Sequence, residues 1–101
     1  MTGAVGTNYV AECFWPGVAV TDLHALDLRI EACAAGSAGP AGTVRYLGSM
    51  LIVDDEVVLC VFEGPLDAVR GVAECAEVPY ERLLRSTLPP WPLPAAPAPL
   101  D

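Results

Sequence analysis

The sequence predicts an α+β domain of the ferredoxin-like kind. Its order is β-α-β-β-α-β, with a four-stranded antiparallel sheet and both helices on one face. Three observations predict it. Two strand-length apolar runs lie in mid-chain, VRYLGSMLIV and EVVLCVFE, joined by Asp54-Asp55. A helical pattern flanks this hairpin on each side. A further short strand-like run stands at each end of the region, so that few compact arrangements remain.

The elements follow in order. Asn8 to Trp15, NYVAECFW, is rich in aromatic and β-branched residues and reads as the first strand. Pro16-Gly17 ends it. Thr21 is expected as an N-cap, with Asp22 in the first turn. Leu23, Leu26, Ile30 and Cys33 recur at helical spacing as one apolar face, with Asp27 and Glu31 towards solvent. Gly36 stops this helix, and 37–42 is a loop of small residues. The second strand is expected over Thr43 to Val53 and the third over Glu56 to Glu63. Pro65 suits the first position of a second helix running to about Glu77, with Val69, Val72, Ala73 and Ala76 inward and Arg70 pairing Glu74 outward. Pro79 to Leu84 is expected as a fourth strand at a sheet edge.

Three segments result: a flexible N-terminus over 1–7, the domain over 8–86, and a tail over 87–101. The stretch from Leu88 onward carries six of the ten prolines and is expected to be extended or disordered. Trp91 within it is the candidate anchor should the tail pack on the domain.

Composition narrows the function. Of 101 residues, 53% are hydrophobic, and the net charge is −8 with every basic residue an Arg. Such acidity disfavours nucleic acid and anionic membrane surfaces as partners. No apolar run approaches the roughly 20 residues of a membrane span, and the first residues lack a secretory pattern, so a cytoplasmic protein is expected. The four cysteines form no C-x-x-C pair, and they read as small buried hydrophobes. No cofactor or metal is called for by any cluster.

The second strand is apolar on both faces. Strict alternation puts Val44, Tyr46, Met50 and Ile52 on one side, and Leu47, Leu51 and Val53 on the other with Arg45 and Ser49. A sheet half in water alternates apolar and polar. The second face is therefore expected to be buried by another copy of the chain, as a dimeric α+β barrel.

The segments YVAECFWPGV (9–18), VRYLGSMLIVDDEVVLCVFEGP (44–65) and AVRGVAECAEVPYERL (68–83) resemble a family of small bacterial proteins catalogued as a domain of unknown function. That family includes nickel-binding proteins. The resemblance implies a dimeric α+β barrel and, as one possible activity, nickel binding. Three features depart from the family pattern. Val58 stands where members often carry a second Cys, Gly64 stands where they often carry Ala, and the chain has a single His, His24.

Two carboxylates are candidate catalytic groups. Glu12 lies in an apolar strand, where desolvation would raise its pKa and suit it to acid/base work. Glu63 ends the third strand, next to the first in this fold, so the two are candidates to share a cavity. The alternative, in which each meets solvent or an arginine such as Arg45, stays open. Phe14, Tyr46, Ser49, Met50, Cys60 and Phe62 are the candidate ligand-binding residues. Cys13 and Cys60 are expected to be able to approach across neighbouring strands. Three functions remain: an apolar-ligand-binding homodimer acting as an isomerase or cyclase, a nickel-binding protein, and a dimerising module without chemistry.

Overall fold

A computed structural model describes residues 7–37 and 42–86 of the chain. The expectations for the first residues, for most of the small-residue loop and for the Pro-rich tail with Trp91 lie outside the described residues.

The elements are β1 (Asn8–Phe14), α1 (Val20–Ala35), β2 (Arg45–Ile52), β3 (Val57–Glu63), α2 (Leu66–Cys75) and β4 (Arg82–Ser86). The sheet runs in the order β2-β3-β1-β4 with every neighbouring pair antiparallel. This is the ferredoxin-like split βαβ arrangement that the order of elements predicts.

Helix starts differ from expectation. Ala19, not Thr21, is the N-cap of α1, and the Asp22 carboxylate accepts the Ala19 N–H at 2.9 Å. This carboxylate supplies the capping contact at N3 that the Ala side chain cannot. Pro65 is the N-cap of α2 rather than its first residue. Arg70 pairs with Asp67 at 3.5 Å instead of with Glu74, because the i,i+3 partner lies in the same open first turn. β4 begins at Arg82, since its ladder with β1 starts opposite Glu12.

The core lies between the sheet and both helices. Leu26 and Ile30 of α1 and Val69, Val72 and Ala73 of α2 pack with Ala11, Cys13, Val58, Cys60 and Phe62 of the sheet. The inward stripes of both helices follow the predicted spacing. Asp27, expected towards solvent, is only partly exposed, because Tyr46 of β2 reaches it from below.

The reading of all four cysteines as free hydrophobes is corrected. Cys33 and Cys75 form a disulfide between the last turns of α1 and α2, with Cα atoms 6.1 Å apart. Forty-two residues separate them in sequence, so only helix packing brings them together. Cys13 and Cys60 are free and buried.

Gly64 shapes the exit from β3. Its φ is +149°, and a β-carbon there would lie 2.8 Å from the Thr43 carbonyl oxygen. The backbone passes too close here for a side chain, which accounts for the glycine.

A candidate binding face on the open side of the sheet

The face of the sheet away from the helices is apolar and bare. Val10 and Phe14 of β1, Met50 of β2, Leu59 and Val61 of β3, and Leu84 of β4 share it, as the ladder registers require. Phe14, at the end of β1, is 52% exposed, and Met50, on the edge strand β2, is 59% exposed, high values for large apolar side chains.

A β-bulge decides which side chains belong here. Between Tyr46 and Gly48 the β2–β3 register shifts, with Tyr46 opposite Phe62 and Gly48 already opposite Val61. Leu47 is the extra residue, and Gly48 takes up the distortion at φ +132°. Strict alternation separates Tyr46 from Ser49 and joins Tyr46 to Met50. The bulge reverses this. Tyr46, Ser49 and Leu51 stand opposite Phe62, Cys60 and Val58 on the helix-covered face, while Gly48, Met50 and Ile52 are on the open face. The bulge also leaves a notch of about 160 Å³ lined by Leu47, Gly48, Ser49, Met50 and Val61.

The predicted site residues therefore divide between the two faces. Glu12, Glu63, Phe14 and Met50 lie on the open face. Tyr46, Ser49, Cys60 and Phe62 lie on the covered face, and Cys60 and Phe62 are fully buried in the core. A ligand on the open face does not reach Tyr46, Cys60 or Phe62, while Ser49 borders the notch at the bulge.

The two carboxylates do not meet. Glu12 pairs across the ladder with Leu59, and Glu63 is four residues further along β3. At the strand rise this separates them by roughly 13 Å. Each has its own arginine instead. Arg82 Nε donates to Glu12 Oε1 at 2.7 Å, and Arg45 Nη1 donates to Glu63 Oε1 at 3.3 Å. The hydrogen bond from Arg82 holds the Glu12 carboxyl below its ordinary value of 4.5, outweighing the opposing effect of desolvation. The expected upward shift is thus reversed, because β4 supplies a cation beside the group. Arg82 is the residue that sequence reasoning missed. Its only signal was a place in an edge strand whose pairing with β1 no local pattern reveals.

The covered face holds a polar chain of its own. Tyr46 donates to Asp27 Oδ1 of α1 at 2.5 Å and packs on Phe62 with ring centres 5.3 Å apart. Burial, then the bond to Asp27, pushes the Tyr46 hydroxyl well above its usual range. Contact with Cys13, together with burial, pushes the Cys60 thiol up, so it stays protonated. The expected approach of Cys13 and Cys60 is present. Among the described residues, no group of three or more His, Cys, Asp or Glu is placed to hold a metal ion. Nor is any described helix long and apolar enough to cross a membrane.

Comparison with known proteins adds a fold likeness. No family model matches the chain, and no curated protein matches it. Among solved structures, the crystal structure of SCO4226 from Streptomyces coelicolor A3(2) superposes with a TM-score of 0.66. The two share 17% identity over 82% of this chain and 99% of that one. At this identity the likeness establishes the α+β fold of the domain.

Proposed function

We propose that two copies of this chain pair through their open sheet faces as a barrel that binds an apolar small molecule between them. The observation that carries this reading is the open face itself. It presents Phe14, Met50 and Leu84, all exposed, around the ion pair of Glu12 and Arg82. An apolar patch of this kind on a small acidic protein marks a contact surface. A second copy is the occupant that fits. A twofold axis sets the same apolar patch against itself without need of a charged counterpart. Four strands at their usual spacing and about seven residues each make a face of roughly 19 Å by 23 Å. Counted over both copies this is roughly 900 Å², short of the roughly 1,200 Å² of a standard interface and in the range of a weaker, concentration-dependent pairing. The notch beside Gly48 leaves room within it for a small apolar ligand.

In this reading Glu12 and Arg82 anchor a polar end of the ligand. An isomerase or cyclase step with Glu12 as base requires Arg82 to leave the carboxylate, because the ion pair lowers its basicity. Binding is therefore the better supported function and proton transfer the lesser one. The separation of Glu63 from Glu12 leaves Glu63 as a rim group tied to Arg45.

Native mass spectrometry of the purified chain, with and without added nickel, tests the proposal. A dimer, with a bound organic mass released on denaturation, is the expected result. A monomer at micromolar concentration overturns the barrel. A dimer with no organic mass that takes up stoichiometric nickel overturns the ligand reading in favour of the metal binding that the family resemblance implies.

A further inference from the structure

The Cys33–Cys75 disulfide does not lie in the core. Cys75 is exposed at the last position of α2, while Cys33 is half-buried in the last turn of α1. Beside the bond runs a groove of about 270 Å³, bordered by Gly36, Ala68, Gly71 and both cysteines. Its remaining walls are Ser37, Gly42, Asp67 and Val72, so among the described residues Asp67 is the sole charged side chain lining it. The groove is open because its rim is built of glycine and alanine, and a small molecule can come up to the sulfurs from one side.

We propose that this groove is a thiol–disulfide exchange site, at which a small uncharged or cationic thiol forms a mixed disulfide with Cys75. The thiolate of the incoming molecule attacks Cys75 Sγ. The bond between the two protein sulfurs breaks, and Cys33 Sγ leaves with the electron pair and takes a proton from water. One disulfide is exchanged for another, with no net oxidation. A second molecule of the same thiol then attacks the sulfur of the first. This frees the Cys75 thiol and releases the small-molecule disulfide, so that two thiols supply the two electrons that reduce the protein.

Four observations support this assignment. Exposure favours attack at Cys75, because that residue is exposed and Cys33 is half-buried. The other two cysteines are closed to reagents, Cys13 and Cys60 having no exposed surface. Opening the bond also leaves the helices held. Leu26, Ile30, Val69 and Val72 remain packed in the core, and Arg29 Nε donates to the Ala76 carbonyl at 3.0 Å across the two helices. Charge selects the class of thiol. The chain carries a net charge of −8, and Asp67 stands in the groove wall, which disfavours an anionic thiol.

The test is exposure of the native full-length chain to cysteamine or to glutathione, with acid quenching, intact mass and peptide mapping. A single cysteamine adduct on Cys75 is expected, forming about ten-fold or more faster than the glutathione adduct. In Asp67→Asn the gap should narrow. In Cys33→Ser, where Cys75 is a free thiol, the disulfide cystamine should exchange onto Cys75 with release of one cysteamine, and with no resolving thiol that adduct should persist. Adducts on Cys33, equal rates for the two thiols, or four alkylatable thiols on denaturation after mild oxidation of the chain would each overturn the proposal.

Discussion

On the helix-covered face of the sheet, Ala11, Cys13, Val58, Cys60 and Phe62 expose no surface at all. On the opposite face of the same strands, Phe14 and Met50 keep more than half of theirs. Both faces are apolar, so hydrophobicity alone does not distinguish them. What differs is the manner in which polar groups are placed. The covered face buries its polar groups in a chain, Asp27 to Tyr46 with Cys60 beyond, that is satisfied within one molecule. The open face holds its charges as separate ion pairs, Glu12 with Arg82 and Glu63 with Arg45, each at a strand pairing. The first pattern belongs to a finished core, and the second to a surface with room for a partner.

Substitutions on the two faces should therefore report on different equilibria. The largest effect is expected in the core. Phe62→Ala should cost about 3–5 kcal/mol of folding stability, read from urea unfolding, because it removes a fully buried ring and leaves a cavity. On the open face, Met50→Asp should leave the stability of the isolated domain within about 0.5 kcal/mol, since the residue is exposed there. The same change should weaken self-association about 10- to 100-fold in sedimentation equilibrium, by burying an unpaired carboxylate at the interface. If Met50→Asp instead unfolds the monomer, the two faces are not energetically distinct.

Smaller effects sharpen the contrast. Gly64→Ala should destabilise by about 2 kcal/mol, because the new β-carbon meets the Thr43 carbonyl oxygen and the backbone sits at positive φ. Tyr46→Phe should cost about 1 kcal/mol, leaving Asp27 without its donor while the ring still packs on Phe62. The smallest effect concerns pH. The Glu12 carboxyl is held below its ordinary value, so its pairing stabilises the fold above about pH 4.5 and is lost as pH falls through the lowered value. Glu12→Gln should remove that acid-side slope from the urea midpoint by lowering the neutral-pH midpoint by the same small amount, as expected of a solvent-accessible ion pair.

The fold was largely legible in the sequence. The inward stripes of Leu26 and Ile30, and of Val69, Val72 and Ala73, follow from helical spacing and are buried as predicted. The hairpin follows from two apolar runs around an acidic turn, though the loop is four residues long and Glu56 enters the left-handed region at φ +53°. For Glu63 the alternative of an arginine partner such as Arg45 is the arrangement present, because Arg45 and Glu63 face each other at the open end of that hairpin.

The candidate site was only partly legible. Its apolar character could be read from β2 and β3, but membership of each face could not. A single extra residue, Leu47, exchanges the sides of every β2 residue beyond it, and strict alternation therefore misplaces Ser49 relative to Tyr46. Glu12 read as a stranded carboxylate because its neutralising cation is seventy residues away on β4.

By itself the sequence determined the class of fold, the order of elements, the inward faces of both helices and the excess of apolar surface. All of these rest on periodicity and composition, which are properties of neighbouring residues. Only the tertiary structure decided the bulge in β2, the Glu12–Arg82 pair, the Tyr46–Asp27 bond and the Cys33–Cys75 bridge. Each depends on which distant segments come into contact, and such contacts are set by the packing of the whole domain rather than by any local pattern.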